Sequence, residues 1–440
     1  MRTIIIKNGS VISSESSDIR DVVLTDGKIV AVGNIHLPNY PEAEVIDASG
    51  KLIFPGGIDP HVHLELPTPA GPSCDDFISG SRAALAGGTT CIMDFVTPRR
   101  EQSLIEALYQ RRAEADSSLT DYLLHMGISG WNSKSAGEIA ACFEIENLRS
   151  FKAYLAYRET IGISLSQLKE MMEAVKQGNG IVMVHCEDGE MISRRQQEFI
   201  QQGKTRPTYH ASSRPVEAEA WAIHEVIELS AQTGCAVYIV HVSTAAGKQA
   251  ITAAKKSGIR VFAETCPQYL LLDDSVYDPT LDDRKVLPYI ISPPIRSKHD
   301  QEILWEGLAD GTFDTVATDH CPFNLNGQKD KGIHNFTKIP NGAGGIEHRL
   351  TLLYTYGVLS NRITLNQFVS LTSTGAAEIF GFGKRKGKIE PGYDADLVIW
   401  NPETTGVISV ANHLQHCDSE IYEGFGIKGC PEMVLQAKTW

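Results

Sequence analysis

GIVMVHCE, at residues 180–187, begins with an apolar run that leads into a histidine. AVYIVHVS, at residues 236–243, repeats this arrangement with a histidine in the same place. Nearly continuous apolar runs of this length are typical of strands that are buried on both faces of a parallel sheet. The two stretches therefore predict buried strands, each of which places an imidazole close to its carboxyl end.

The same kind of run recurs along most of the chain. We count eight: 53–60, 91–96, 122–129, 150–156, 180–187, 236–243, 260–267 and 313–320. Most are separated by stretches with helical periodicity, and two more helices are expected at 346–358 and 364–380. Eight strands that alternate with helices indicate an α/β protein with a (β/α)8 barrel of the TIM type. A doubly wound open sheet shows the same alternation, so the count alone leaves both arrangements open.

The two ends of the chain have the pattern of short strands. Asp26-Gly27 separates two apolar runs, which is a strong signal for a hairpin. GKIEPGYDADLVIWNPE, at 387–403, indicates a second pair of strands around Pro391-Gly392. Neither end is long enough to bury a core alone. We therefore predict one small discontinuous β-sandwich, formed by residues 1–52 and 386–440, beside a barrel formed by residues 53–385.

Composition excludes several classes of function. The 440 residues carry a net charge of −14, which argues against a nucleic-acid-binding protein. No apolar run reaches the roughly 18 residues that a membrane span needs, and the first residues lack the apolar core of a signal peptide. The nine cysteines include no CxxC pair, so we expect reduced, mostly buried thiols in a cytoplasmic protein.

Metal-competent side chains follow several of the predicted strands. The active site of a TIM-type barrel lies at the carboxyl ends of its strands. GGIDPHVHLE, at 56–65, supplies His61 and His63, whose alternate spacing on a strand turns both imidazoles to one side. Later runs add His185, His241 and Asp319 at equivalent positions. A single histidine near a strand end is often only a satisfied polar residue, but all five together predict a metal site at one mouth.

Lys152 lies inside the fourth apolar run, SFKAYLAY. A buried ammonium group is costly because burial removes its hydration. Either the amine extends to solvent at the rim of the barrel, or carbon dioxide carbamylates it into an anionic ligand with two oxygens. The spacing does not decide between them. Charge balance favours the carbamate, because two divalent cations beside one carboxylate would leave a large positive excess in a low-dielectric site.

These segments closely resemble those of the cyclic amidohydrolases, specifically the dihydropyrimidinase and hydantoinase group. The similarity extends from Pro55 to Asn401, over most of the chain. The matching segments include PGGIDPHVHLE, CDDFISGSRAALAGGTTCIMDF, SFKAYLAY, VMVHCEDGEMI, YIVHVS, ETCPQYLLLDDSVYD, ISPPIR, TVATDHCPFN, FTKIPNGAGGIEHRL and GKIEPGYDADLVIWNPE. Such long, ordered matches are far more specific than a His-x-His pair alone.

The resemblance implies a metal-dependent hydrolase with two divalent ions, usually zinc, at the mouth of the barrel. By its pattern, the ligands would be His61, His63 and Asp319 for one metal, His185 and His241 for the other, and carbamylated Lys152 as the bridge. Asp319 would also carry the proton between water and the leaving nitrogen. The family is usually dimeric or tetrameric, which predicts a homodimer or homotetramer.

The resemblance also assigns residues that contact the substrate. Tyr157 matches the tyrosine that stabilises the oxyanion, and Ser292 and Asn341 match the positions whose backbone holds the ring. From the residues alone, Tyr157 fits an amphipathic residue at the rim, and Ser292 and Asn341 fit turn positions. We interpret Asp75-Asp76 as a helix N-cap without a catalytic role.

The expected activity is the opening of a dihydropyrimidine or 5-substituted hydantoin ring to an N-carbamoyl amino acid. Dihydroorotases and allantoinases are the nearest alternatives, but they commonly carry arginine where this chain has Glu65. A glutamate repels a carboxylated substrate, whereas arginine holds one with two hydrogen bonds. The neighbouring ELPTPAGPS could line a pocket for an apolar substituent or be an ordinary surface loop. A non-catalytic scaffold of the same family is a further alternative, which the complete ligand set disfavours.

Overall fold

The computed structural model describes residues 2–157 and 160–439, the last without its side chain. Its eight-stranded sheet contains only parallel neighbours, which follow one another in chain order. The strands are β6 (Gly57–Val62), β7 (Thr89–Val96), β8 (Asp121–Gly127), β9 (Ser150–Tyr154), β10 (Ile181–His185), β11 (Ala236–Ile239), β12 (Val261–Thr265) and β13 (Thr315–Val316). The predicted (β/α)8 barrel is confirmed.

Helices connect each strand of the barrel to the next. They are α1 (Phe77–Ala86), α2 (Leu104–Ala115), α3 (Ser135–Glu146), α4 (Leu165–Gln177), α5 (Gly189–Gln201), α6 (Tyr209–Ser213), α7 (Val216–Thr233), α8 (Ala245–Lys256), α9 (Pro267–Leu271), α10 (Asp283–Val286) and α11 (Lys298–Ala309). After the barrel come α12 (Arg349–Leu353), α13 (Leu365–Val369) and α14 (Gly375–Ile379), which confirm the two helices predicted there. A wider π-type turn at Tyr354–Val358 ends the first of these helices, and another at Ser370–Thr374 joins α13 to α14 in the second.

Side chains and one isolated bridge close the barrel between its last and first strands. β13 is short, and the contact is continued by a parallel bridge between Val62 and His320. The fully buried Arg349 donates from one nitrogen to the carbonyls of Ile58 and Val316, at 2.8 and 2.9 Å. One guanidinium group thus joins the two strands that the ladder of hydrogen bonds does not connect.

The chain ends form a mixed sheet of seven strands around a core of its own. Its strands are β1 (Thr3–Ile12), β2 (Ser17–Thr25), β3 (Lys28–Gly33), β4 (Glu44–Asp47), β5 (Leu52–Pro55), β14 (Leu397–Val407) and β15 (Gly426–Leu435). Asp26 and Gly27 have φ of 45° and 76°, so the predicted hairpin has the two left-handed turn residues that a tight turn requires.

Two details of the strand prediction differ from the structure. The run 53–60 is divided, because β5 belongs to the mixed sheet and only β6 to the barrel. The pair of strands predicted around Pro391-Gly392 is wrong: only β14 forms, and 386–396 is mostly turns. Asp394 in this segment is held by ion pairs with Lys28 and Arg385, at 2.6 and 2.8 Å. The domain boundary at residue 52 stays a prediction.

No described helix is both long and apolar enough to cross a membrane.

Candidate metal centre

The strand ends bring the predicted ligands to one mouth of the barrel. His61 lies in β6 and His63 one residue beyond it, and His185 is the last residue of β10. His241 and Asp319 follow β11 and β13 by two and three residues. The rings of His61 and His241 stack with centroids 5.5 Å apart, and those of His185 and His241 are 4.6 Å apart. Residues that are far apart in sequence thus form one cluster.

His61, His63 and Asp319 converge on a single point. The Nε2 atoms of the two imidazoles are 3.1 Å apart, and each lies 3.3 Å from Oδ1 of Asp319. Ligand atoms at about 2.0–2.1 Å from a tetrahedral zinc ion are about 3.3 Å from one another. The three donor atoms therefore already have the spacing of ligands to one metal.

His185 and His241 form the second convergent pair. Nδ1 of His185 lies 2.9 Å from Nε2 of His241, and both side chains are buried. Nε2 of His185 donates to Glu187 at 2.8 Å, which leaves its Nδ1 lone pair facing His241. A carboxylate that fixes the tautomer of an imidazole in this way is a common feature of metal sites.

Glu264 plays the same part for His61. Its Oε1 accepts from Nδ1 of His61 at 2.5 Å and from the backbone nitrogen of His241 at 3.1 Å, while its Oε2 accepts from the Tyr238 hydroxyl at 2.7 Å. Sequence reasoning missed Glu264 and Glu187. A signal was present, since each acid lies in one of the predicted buried runs, where a carboxylate needs a partner.

Protonation states in the cluster suit metal binding. Burial lowers the pKa of His61, His185 and His241, so these imidazoles are neutral and keep a lone pair available. Burial by itself would raise the pKa of Asp319, but its contacts with His61 and His63 lower it to about 2. The donor set is therefore neutral nitrogen plus an ionised carboxylate.

Lys152 lies on β9 with 1% of its surface exposed, so its amine does not extend to the rim. Its Nζ finds no hydrogen-bond partner among the described residues. The nearest rings are Phe95 and Tyr154, with centroids 4.9 and 5.2 Å away. Burial lowers the pKa of the amine to about 8, although the charges of Glu264 and Asp319 oppose this. A substantial neutral fraction, the form that reacts with carbon dioxide, is thus present near pH 8.

Other histidines near the barrel are satisfied by ordinary contacts. His125 pairs with the Ser150 hydroxyl at 2.6 Å and donates to the Pro60 carbonyl at 3.0 Å. His210 donates to the Ile291 carbonyl at 2.7 Å. By contrast, Nδ1 of His63 and of His241 lack a hydrogen-bond partner in the described part of the chain. The ring nitrogens of His125 are thus both taken by partners outside the cluster, so this histidine has a structural role.

Backbone conformation also sets the site residues apart. His241, Asp319 and Tyr157 have φ of 39°, 52° and 61°, in the left-handed region that non-glycine residues rarely adopt. Such conformations cost of order 1–3 kcal/mol and persist where the surroundings enforce them, often at functional sites.

Tyr157 lies beside the second histidine pair, with its ring 5.5 Å from that of His185. Arg214 packs on the face of Tyr157, with 5.3 Å between the guanidinium carbon and the ring centroid. The same guanidinium is hydrogen-bonded to Glu187. The buried Arg214 and Glu187 therefore connect Tyr157 to the imidazole of His185. No sequence pattern pointed to Arg214.

Ser292 and Asn341 lie close together, although they are 49 positions apart in the sequence. The backbone nitrogen of Gly342 donates to Ile290 at 3.0 Å, and Ala343 forms a bridge with His320, next to Asp319. The side-chain oxygens of Ser292 and Asn341 are buried and have no partner among the described residues.

The interpretation of Asp75-Asp76 as a cap is correct for only one of the two. Asp76 is the N-cap of α1 and accepts from Ser79 at 2.6 Å. Asp75 is instead buried, and its carboxylate contacts Nε2 of His320 at 3.0 Å and the backbone nitrogen of His416 at 2.9 Å. It therefore fixes the residue that follows Asp319.

Comparison with known proteins identifies the family. Residues 52–425 match the Amidohydrolase family. The chain is 40% identical to the D-hydantoinase of Geobacillus stearothermophilus, over 98% of this chain and 91% of that protein. It is 36% identical to the dihydropyrimidinase of Rattus norvegicus, over 98% and 84%. The crystal structure of dihydropyrimidinase from Brevibacillus agri NCHU1002 superposes with a TM-score of 0.96 at 38% identity, covering 99% of this chain and 94% of that one.

These relatives share the fold and nearly the full length of the chain, and the cluster described above supplies the donor set that metal-dependent hydrolysis needs. The chain therefore belongs to the amidohydrolase family, and it is a metal-dependent cyclic amidohydrolase of the hydantoinase and dihydropyrimidinase type.

Proposed function

We propose that the protein opens 5-substituted hydantoins or dihydropyrimidines with a centre of two zinc ions. The convergence of His61, His63 and Asp319 at 3.1–3.3 Å carries this proposal. In the proposed centre these three residues hold one ion. His185 and His241 hold the other ion. The 2.9 Å distance between Nδ1 of His185 and Nε2 of His241 supports their binding of the same ion.

Lys152 is proposed to bridge the two ions as a carbamate. Its buried, unpartnered amine supports this assignment, because a cationic lysine would be repelled by two metal ions. Carbamylation converts the amine into an anion and places two oxygens among the imidazoles. The carbamate would also add a negative charge to that of Asp319, which by itself balances little of the charge of two divalent ions.

The residues around the metals have different roles in ring opening. When bound, the ions lower the pKa of a water molecule and polarise the ring carbonyl. Asp319 accepts the proton of the attacking water and delivers it to the leaving ring nitrogen. The Tyr157 hydroxyl donates a hydrogen bond to the oxygen on which negative charge develops. Ser292 and Asn341 hold the edge of the ring through their backbone groups.

The charges around Glu65 support an uncharged substrate. Burial raises the pKa of Glu65, and the nearby charges of Asp76 and Glu114 raise it further. Arg111, whose charge opposes this rise, is already paired with Asp94 at 2.6 Å and with Glu114 at 2.6 Å. This corner of the mouth would repel the carboxylate of dihydroorotate.

A zinc-loaded assay tests the substrate class. Dihydrouracil, hydantoin, 5-phenylhydantoin, allantoin and dihydroorotate are compared at equal concentration. We expect turnover of the first three, and faster turnover of dihydroorotate or allantoin would contradict the proposal. Asp319→Asn should fold but lose nearly all turnover, and near-full activity would remove this residue from the proton path.

Metal analysis tests the bridge. Lys152→Ala, grown with zinc, should bind at least one ion per chain fewer than the wild type. Lys386→Ala serves as the control, because it removes a buried lysine that pairs with Asp121 and Asp396 and belongs to no candidate metal site. An unchanged zinc count in Lys152→Ala would contradict the bridging role.

Assembly and location complete the proposal. We propose a homodimer or homotetramer, which light scattering of the purified protein would establish. The nine cysteines are all free thiols, and six of them are buried, which supports a reducing, cytoplasmic setting.

A further inference from the structure

A second group of metal-competent side chains lies where the segment between β14 and β15 crosses the barrel. His413 and Glu420 belong to this segment, and His348 immediately precedes α12. The backbone nitrogen of Leu414 donates to Glu347 at 2.6 Å, so the segment is held against the start of that helix. None of the three residues is shared with the centre described above.

The three donor atoms have the spacing of metal ligands. Oε2 of Glu420 lies 3.3 Å from Nε2 of His348 and 3.3 Å from Nδ1 of His413. All three atoms lie within 4.8 Å of one another, as do the three that converge at His61, His63 and Asp319. The side chains are 10%, 3% and 1% exposed for His348, His413 and Glu420, so little water reaches them.

Two ring nitrogens face the carboxylate of Glu420. Nε2 of His413 donates to the Cys417 carbonyl at 3.0 Å, and its Nδ1 lies 3.3 Å from Oε2 of Glu420. Nε2 of His348 has no hydrogen-bond partner among the described residues, despite its short distance to Glu420. Both imidazoles thus direct one nitrogen at the same carboxylate oxygen, and a metal ion or a shared proton can occupy that position.

The Gln415 side chain lies next to the donor atoms of His413 and Glu420. Its amide nitrogen lies 3.2 Å from Oε2 of Glu420 and 3.5 Å from Nδ1 of His413. Its oxygen is buried and has no partner in the described part of the chain. The nitrogen and oxygen of an amide exchange places by a half turn, so Gln415 can present an oxygen to a cation here.

We propose that His348, His413 and Glu420 bind one zinc ion, as a structural site that fastens residues 408–425 to the barrel. Two imidazoles and a carboxylate are a ligand set that zinc favours, and a closed, buried position is typical of its structural sites. The same segment donates from His416 to Asp75, which contacts His320 beside Asp319. An ion here would therefore hold the wall behind the catalytic centre.

Zinc counting tests this site independently of the catalytic centre. The protein is dialysed against limiting free zinc, and bound metal per chain is measured by mass spectrometry. Wild-type protein should hold about three ions, and His348→Gln/Glu420→Gln about two. The same substitutions are also made in a His61→Asn/His63→Asn background. There, too, they should remove one ion, so failure of this site and failure of the catalytic assignment give different results.

His416→Gln is the matched control, because His416 lies on the same segment but is exposed. It should leave the zinc count unchanged. The proposal would be overturned if the zinc count per chain were the same with and without His348→Gln/Glu420→Gln in both backgrounds. A proton shared between the imidazoles and Glu420 would then explain their short distances. If the double variant does not fold, the wild-type count decides: three ions support the site, and two or fewer contradict it.

Discussion

Replacing Glu264 by glutamine should weaken zinc binding about tenfold without disturbing the fold. The carboxylate accepts from Nδ1 of His61, from the backbone of His241 and from the Tyr238 hydroxyl. Glutamine can keep these contacts. Its oxygen replaces Oε1, and its amide donates to Tyr238, whose own hydrogen can turn to Thr315 at 2.5 Å. The substitution therefore removes a charge and little else.

The size of the effect follows from the change in hydrogen-bond type. A hydrogen bond to a charged group contributes about 1.5–3 kcal/mol and one between neutral groups about 0.5–1.5 kcal/mol. The difference of roughly 1–1.5 kcal/mol corresponds to about a tenfold change in affinity. Glu264→Ala also releases the orientation of His61, so its loss should approach the upper end of the 10–100-fold range for such partners.

Competition with a chromophoric zinc chelator measures this effect. Burial raises the pKa of Glu264 to about 7, so the titration is run at pH 8, where the wild-type carboxyl is ionised. Glu219→Gln is the control, because Glu219 is equally buried, accepts from Ser243 and Thr244, and pairs with Arg296 instead of a candidate metal ligand. Zinc affinity of Glu264→Gln within twofold of both wild type and control would refute the reasoning.

Three further predictions concern stability and the position of Tyr157, the proposed oxyanion-stabilising residue. Arg349→Met should lower the free energy of unfolding by about 3–5 kcal/mol, because it leaves the Asp59 carboxylate buried without a cation. Adding Asp59→Asn to this variant should restore part of the lost stability, as measured by urea denaturation. Arg214→Lys should lower kcat about tenfold with unchanged zinc content, because lysine cannot both pack flat on Tyr157 and pair with Glu187. A kcat equal to that of the wild type in steady-state assays would exclude a role of Arg214 in positioning Tyr157. Burial alone would raise the pKa of Asp394, but its cationic partners lower it to about 2. Its stabilisation is thus complete above about pH 4 and is lost as pH falls toward 2, so the melting-temperature deficit of Asp394→Asn should shrink over that range.

Much of the barrel could be predicted because its strands are buried on both faces. A strand that is buried on both faces appears in the sequence as a continuous apolar run, and the helices between the runs show helical periodicity. The prediction was wrong around Pro391-Gly392, where charged and turn-forming residues make long-range pairs with Lys28 rather than a strand. It also could not show that β5 and β6 belong to different sheets, because no local pattern marks that change of partner.

The ligand-competent residues His61, His63, His185, His241 and Asp319 were evident from the sequence, because each stands next to a strand whose end fixes its position. Their supporting residues were not. His61 and Glu264 are 203 positions apart, and only the closed barrel brings them to 2.5 Å. The cluster of His348, His413 and Glu420 likewise depends on where one long connection crosses the barrel. Local periodicity thus determined the alternation of strands and helices and the ligand types. The closure of the barrel and the distances across the chain, which no local pattern encodes, were decided by the tertiary structure.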